Sequence, residues 1–382
     1  MRIGIVGGGI GGLTAAIALR RTGAEVAVFE RAHSQRRTGA GISLWANALT
    51  CLQTLNLETQ IMAVGSAIVA GTFRTSDGRV LVAVPLQRRY SVPAVVVHRD
   101  ELQSIFLDVL PVGTVHFDAE CVGFVQQRQG VIVRLLDGRE LSFDMLVGAD
   151  GIRSTIRRLL LGAGRVRYSG FTAWRGVAFF PHQELPSAGG NEWWGAGSIF
   201  GAAPMSRGRV YWYGEARRPE GEAAMVNHKA DSLNHFRGWQ SAIQAIIAST
   251  DSDAVVRHDG YDVDPPARWS SGYVTLLGDA AHPMRPNIGQ GGCQAIEDAF
   301  FLAACVALTN DPAQALRRYA AGRRARAEYA ARLSWLMSLV EHTQHRVLRT
   351  LRDSLVRALP TSLMLRSMDG LLRPSLPRSA AS

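Results

Sequence analysis

Gly7, Gly9 and Gly12 recur as G-x-G-x-x-G, and Glu30 follows eighteen residues after Gly12. In such a run the first glycine makes a tight turn and the second lets backbone approach a pyrophosphate. The third lets helix and strand pack closely, and the acidic residue can accept hydrogen bonds from a ribose diol. Ile10 and Gly11 at the helix start and Arg31 beyond Glu30 join this candidate set. A second turn, Gly278-Asp279, opens a loop holding Pro283, Pro286, Gly289, Gly291 and Gly292, with an apolar-periodic helix from about Gln290. There a carboxylate meets a row of bare backbone amides at a helix start, which carries about half a positive charge and suits an anionic or electron-rich ligand edge. A third carboxylate, Asp150, sits in Gly148-Ala149-Asp150-Gly151 behind the apolar run Met145–Val147. Two uses stay open for it: helix N-cap, or a carboxylate facing a cofactor crevice.

The elements that must hold these residues are legible. Arg2–Val6 and Glu25–Phe29 read as strands around a helix, Leu13–Arg21, so the glycines stand in a strand–helix–strand setting and dinucleotide binding is expected. Val95–His98 reads as a strand ending at His98-Arg99, and Asp100–Val109 as a helix capped by Asp100. Strands are expected at Cys121–Gln127, Val131–Leu135 and Met145–Val147, with a helix over Arg153–Leu160. Val64–Thr75 and Val80–Val84 read as a hairpin around Asp77-Gly78. From Gly164 to about Asp264 aromatic residues are dense and turns recur, as in an antiparallel sheet. One face would pack on a helix over Met225–Ile247, and the other could wall a pocket. Tyr211 and Tyr213 alternate and so share a face. The stretch Gln314–Leu372 reads as helical.

Composition bounds the function. At 382 residues with 47% hydrophobic content, the chain has ample core for one large domain or two. Cys51, Cys121, Cys293 and Cys305 lie far apart, as reduced core thiols of a cytoplasmic protein do. No metal site is expected. No basic leader with a cleavage site opens the sequence, and no apolar run reaches the roughly eighteen residues of a membrane span. The net charge is +10, and thirteen arginines against four acidic residues after Gln314 supply a surplus of nine. Leu and Ala recur between those arginines at helical spacing, so amphipathic helices with solvated Arg faces are expected. They leave room for weak peripheral membrane contact, but no aromatics interleave as nucleic-acid binding would need.

The three motifs, in this order, resemble the single-component FAD-dependent aromatic hydroxylases, the p-hydroxybenzoate hydroxylase-like flavoprotein monooxygenases. The likeness spans almost the whole chain. It is nearest the branch of zeaxanthin epoxidase, the salicylate and 3-hydroxybenzoate hydroxylases and the FAD-dependent urate hydroxylase. Gly39-Ala40-Gly41-Ile42 with Asn47-Ala48, Thr172-Ala173-Trp174-Arg175-Gly176 and Gly289-Gln290-Gly291-Gly292 leading to Glu297-Asp298-Ala299 carry it. The resemblance implies an α/β fold: a Rossmann-type FAD-binding domain with an inserted antiparallel-sheet substrate domain and C-terminal helices. The boundaries expected are 1–70, 98–165 and 270–382 for the first, and 71–97 with 166–269 for the second.

It also implies roles. Gly7, Gly9 and Gly12 would face the FAD pyrophosphate and Glu30 the adenosine ribose. Arg99 would reach the flavin side, Val122 would offer its backbone to adenine, and Asp150 would lie in a segment shared by FAD and NAD(P)H. Asp279 would hold a ribityl hydroxyl. Pro286 and the amides of Gly289, Gln290, Gly291 and Gly292 would lie along N1 and O2 of the isoalloxazine. NADH or NADPH would reduce FAD, and O2 would yield a C4a-hydroperoxide that oxygenates an aromatic or polyene-like molecule. One fingerprint fits FAD held permanently and nicotinamide visiting. Arg175, Tyr211, Arg285 and Asn287 are the candidate catalytic residues, in a monomer or homodimer. The urate enzyme's catalytic carboxylate falls at Asn287 here and its active-site arginine near Ile199, which argues against urate. His282 reads as scaffold. The rival expectations are a flavin oxidase or halogenase of the same fold, an NAD-dependent dehydrogenase, and a non-catalytic flavoprotein.

Overall fold

The computed structural model describes residues 1–35, 40–90, 94–162, 164–222 and 227–373. A six-stranded sheet runs Ser270–Ser271, Val274–Leu276, Met145–Gly148, Arg2–Val6, Glu25–Phe29, Val115–His116, parallel except at its first pair. Such strands are covered on both faces and read as continuous apolar runs; Ile3, Ile5, Leu146, Val147, Val274 and Leu276 are fully buried. Parallel direction delivers three distant segments to one edge. Val6 stands beside Gly148, and Gly148 beside Leu276, so Gly7, Asp150 and Gly278-Asp279 leave neighbouring strand ends. In open α/β sheets this is where ligands bind.

Helix Ile10–Arg20 crosses helix Gly291–Ala307 through a bare backbone. A Cβ on Gly11 would stand 2.8 Å from Leu277 and 3.2 Å from the Ala295 methyl. Helix Gly291–Ala307 is in turn fixed by charge. Arg323, fully buried on the long helix Pro312–Glu341, donates to Glu297 (2.6 Å), Asp298 (2.8 Å) and the Gln294 side chain (2.7 Å). Asp298 also takes the Gly278 amide (3.1 Å) and His282 Nε2 (2.5 Å). Burial pushes the Asp298 carboxyl up, but His282 and Arg323 outweigh it and hold it at about 2. The four cysteines are free and buried. Burial raises Cys51 and Cys293 to about 12 and Cys121 and Cys305 to about 11.

The second large sheet has seven strands, in the order Val256–Val263, Val166–Phe179, Arg209–Ala216, Ser198–Met205, Gly190–Trp194, Gly71–Thr75, Val80–Val84. Its two faces differ. Trp174, Trp193, Phe200 and Trp212 point to one side and pack with Phe236, Ile243 and Ile247. In the paired register, Arg175, Glu192, Tyr211, Tyr213, Glu215 and His258 share the other. Ala94–His98 instead pairs with Gly41–Trp45 and Ser66–Ala67 in a small sheet of its own.

Four expectations of local structure need correction. The helix after His98 spans Arg99–Asp108 and is capped by His98 rather than Asp100, the His98 ring accepting from the Asp100 amide (3.3 Å). The helix expected over Met225–Ile247 is two, His228–His235 and Ser241–Ala248, because Gly238 takes φ +81° between them; Met225 lies outside the described residues. Val64 ends a helix, Glu58–Val64, and the strand begins only at Gly71. In helix Arg346–Ala358 a buried arginine, Arg352, faces the protein and the leucines face solvent. Gly39 of the motif around Gly41 lies outside the described residues.

Candidate functional site

The cleft at the sheet edge is lined by Gly7, Gly9, Glu30, Arg31, Arg99 and Asp150, with Gln103 and Arg153 among their neighbours. Gly7 sits at φ +108°, and a Cβ there would come within 2.3 Å of the Ala149 carbonyl. A Cβ on Gly12 would fall 1.9 Å from the Gly7 carbonyl, so helix and turn close only without one. Gly9 meets nothing within 4 Å, which leaves its backbone bare to the cleft, and no side chain caps the helix that it starts. Glu30 is fixed by backbone: the amides of Gly8 (2.7 Å) and Ala32 (2.9 Å) donate to its two oxygens. Val122 is exposed beside Cys121, which lines the cleft.

Asp150 stands in both settings that the sequence left open: it lines the cleft and, beside the N-cap Ser154, holds the start of helix Thr155–Leu161. It accepts from the amides of Thr155 (2.7 Å) and Ile156 (3.1 Å) and from the Ser154 hydroxyl. Burial raises its carboxyl, against the pull of those bonds.

Asp279, in contrast, is exposed to the crevice and its carboxylate has no hydrogen bond among the described residues. After it, Pro286–Ile288 forms a short 3-10 turn, Gly289 takes φ +63°, and helix Gly291–Ala307 starts uncapped by any side chain. The Gln290 side chain turns inward, accepting from Asn47 (3.0 Å) and Gln294 (3.0 Å). Strand Gly41–Trp45 lies against this loop. A Cβ on Gly292 would meet Ile42 at 2.8 Å, and one on Gly289 would meet Trp45 Nε1 at 2.9 Å. Arg99 joins cleft and loop. Burial lowers its pKa, Asp279 opposes that and Arg175 adds to it. The buried atoms Arg99 Nε, Gln103 Oε1 and Trp45 Nε1 have no hydrogen-bond partner among the described residues. Bare Gly9, unbonded Asp279 and these atoms fit a ligand with a diphosphate, a polyol and a heteroaromatic ring, as FAD has.

Beside the loop, the polar face of the large sheet carries a cluster of polar side chains, Tyr211 and Glu215 buried and Arg175, Tyr213 and Asn287 half-buried. Tyr211 and Tyr213 share that face, with rings 6.0 Å apart. The Tyr213 ring crosses Gly201 and its hydroxyl donates to Glu192, whereas the Tyr211 ring lies over Gly41. Asn287 donates to Glu341 (2.6 Å) and, at 3.5 Å, to Glu215. Arg285 donates to the Ser338 hydroxyl (2.9 Å) and to Asp262 (3.4 Å), so it braces the loop against helix Pro312–Glu341. Arg175 Nε is buried without a partner.

The reading of the sequence missed Glu215, Glu341, His258 and His342. The first was findable, since Tyr211-x-Tyr213-x-Glu215 places an acid on the tyrosines' face; the end of a thirty-residue helix gives no local signal for Glu341 and His342. Burial raises Glu215 to about 7; Arg175 pulls it down and Glu192 pushes it up. Burial, then Glu192, puts Glu341 well above the carboxylate range. Burial lowers His342 and His258 to about 4. His282 is buried on Asp298 and Trp269, in a scaffold position. Among the described residues no cluster of three or more His, Cys, Asp or Glu could hold a metal, and no helix is long and apolar enough to cross a membrane.

A parallel sheet with a glycine turn and the later Gly278-Asp279 loop at one edge, and a polar sheet face beside them, defines a flavoprotein of the FAD-dependent hydroxylase fold. The chain belongs to the family described as FAD binding domain, whose model matches residues 1–334. It is 39% identical to the aurachin C monooxygenase/isomerase of Stigmatella aurantiaca over 92% of this chain and 93% of that one. It is 35% identical to the chloroplastic zeaxanthin epoxidase of Oryza sativa subsp. japonica over 79% of this chain, and spans about half (48%) of that longer protein. The structure of Klebsiella pneumoniae HpxO complexed with FAD and uric acid superposes with a TM-score of 0.91 at 30% identity, covering 98% of this chain and 97% of that one. The resemblance seen in the motifs holds, and the chain is an FAD-dependent monooxygenase of this class.

Proposed function

We propose that the chain consumes NADH or NADPH and inserts one oxygen atom of O2 into an electron-rich small molecule, aromatic or polyene-like. The oxygen-activating intermediate would be the one that the resemblance implies. The observation that carries this is the polar cluster of Arg175, Tyr211, Glu215 and Asn287 beside the Gly289–Gly292 loop. FAD, when bound, supplies the two-electron chemistry. Gly7, Gly9, Ile10, Gly11 and Gly12 would take its diphosphate and Glu30 its ribose. Arg31, Arg99, Val122 and Asp150 would line its adenosine side and the nicotinamide's approach. Asp279 would take the ribityl chain, and Pro286 with Gly289, Gln290, Gly291 and Gly292 the ring edge.

The chain's own residues bind, orient and move protons. Arg175 offers a free N–H to an anionic substrate oxygen. Tyr211 packs against the substrate ring, and Asn287, steadied by Arg285, orients it. Glu215, poised near neutrality, accepts the proton of a phenol or enol and makes it electron-rich. A bound substrate over this cluster would keep out water, which would otherwise release hydrogen peroxide. Asn287 and Ile199, which is buried with Trp194 and Leu81, keep urate an unsuitable substrate. A halogenase of this fold would need a lysine near this cluster. Lys229, the chain's only lysine, donates instead to the Ala248 and Thr250 carbonyls (2.7 Å each).

The test is NADH and NADPH oxidation by the purified yellow protein against a panel of phenols, benzoates, quinolines and carotenoids, with oxygenated product and released peroxide both measured. Substrate-stimulated oxidation with product is expected; no product across the panel would sink the reading. Asp279→Ala should weaken FAD binding by about tenfold to a hundredfold, one charge-assisted hydrogen bond. Flavin retained through dialysis as in the parent would disprove that role for Asp279.

A further inference from the structure

Of the 25 large apolar side chains exposed among the described residues, eleven lie between residues 329 and 363. Helix Arg346–Ala358 is the centre of this patch. A surface helix ordinarily buries its leucines and leaves its arginines in water. Here Val347 (66% exposed), Leu348 (54%), Leu351 (54%) and Leu355 (57%) form a stripe facing outward. On the inner side, Arg352 donates to the carbonyls of Val340 (3.3 Å) and Glu341 (3.2 Å) and lies over the Trp194 ring. The arginine therefore anchors the helix, and nothing among the described residues covers the leucines. Trp335, on the preceding helix Pro312–Glu341, is exposed as well.

Charge decides what covers the stripe. Arg346, Arg357 and Arg366 are exposed and have no ion pair among the described residues. The last 66 residues carry a surplus of nine positive charges. A second copy would meet this face with its own arginines, like against like. Nucleic acid would answer the charge but leave the leucines in water. A bilayer with anionic headgroups supplies both an opposite charge and an apolar layer, at the depth where tryptophan also settles. We propose that the outward leucine stripe of Arg346–Ala358, flanked by arginines, docks this protein on the surface of an anionic phospholipid membrane.

The full-length, FAD-loaded protein would be sedimented with vesicles of phosphatidylcholine alone and of phosphatidylcholine mixed with phosphatidylglycerol. Binding to the mixed vesicles, weakened by salt, is expected. Leu351→Glu with Leu355→Glu should lower it about tenfold or more, as should Arg346→Glu with Arg357→Glu. Flavin content and thermal unfolding of each variant establish that it is folded. Equal sedimentation of folded parent and folded variants, or none with either vesicle, would overturn the proposal. So would light scattering that shows a dimer which the leucine variant splits.

Discussion

Arg323→Met should lower the free energy of unfolding by about 3–5 kcal/mol, the scale for stranding buried charge. Arg323 is fully buried and holds Glu297 and Asp298 at once. Methionine fills much of the space but takes one cation from each carboxylate, so that Asp298 keeps the ion pair with His282 and Glu297 the one with Arg326. The damage should reach the cofactor. Asp298 binds the Gly278 amide, so helix Gly291–Ala307 and the turn before Asp279 are aligned through one carboxylate. A lower denaturation midpoint at unchanged m-value, with weaker flavin retention, is the expected result. An unchanged midpoint would show that the network adds nothing to stability. Asp298, with a folded pKa depressed to about 2, supplies stability that is present above its unfolded value and lost as pH falls from about 4 toward 2. Asp298→Asn should lack that acid-dependent loss, roughly 2 kcal/mol.

Glu215→Gln should change both stability and turnover, each with its own pH signature. Burial raises the Glu215 pKa from 4.5 to about 7. Between those values the folded protein keeps a proton that the unfolded chain has released. Stability therefore falls as pH rises through that window, by about 3 kcal/mol in all, and stays low above it. Glutamine removes the effect: parent and variant should unfold alike near pH 4, and the variant should be the more stable near pH 8. Turnover should fall about 10²–10⁴-fold, the scale of a lost general base, and the rate profile should lose its ionisation near pH 7. A variant that keeps that ionisation would remove Glu215 from the mechanism.

The glycine turn, Gly278-Asp279 and the uncapped helix behind it were legible because each is local. A turn needs glycine where φ is positive, a parallel strand needs an apolar run, and a helix start needs free amides. Asp150 was legible as a residue but undecided in use, because a cap and a ligand contact ask for the same side chain at the same strand-to-helix turn. The polar cluster was legible only in part. Alternation marked the tyrosine face, whereas the meeting of Asn287 with Glu341 depends on how a long helix returns across the loop, which no spacing encodes. The outward leucines of Arg346–Ala358 ran against the amphipathic rule that was used to read them. Periodicity gives the angle between two faces but not which of them turns to the protein.

The burial of all four cysteines bears on how long such an enzyme survives its own chemistry. Catalysis of the proposed kind generates an oxidant whenever reduced cofactor meets O2 with no acceptor in place. Thiols attack peroxides as thiolates, and a sulfhydryl that ionises only at about pH 11 or 12 stays almost wholly in its unreactive form at neutral pH. Idle cycling should therefore spare the sulfur of Cys293, although it stands one turn into the helix that follows the ring-binding loop. Wear would begin elsewhere, at accessible thioethers such as Met62.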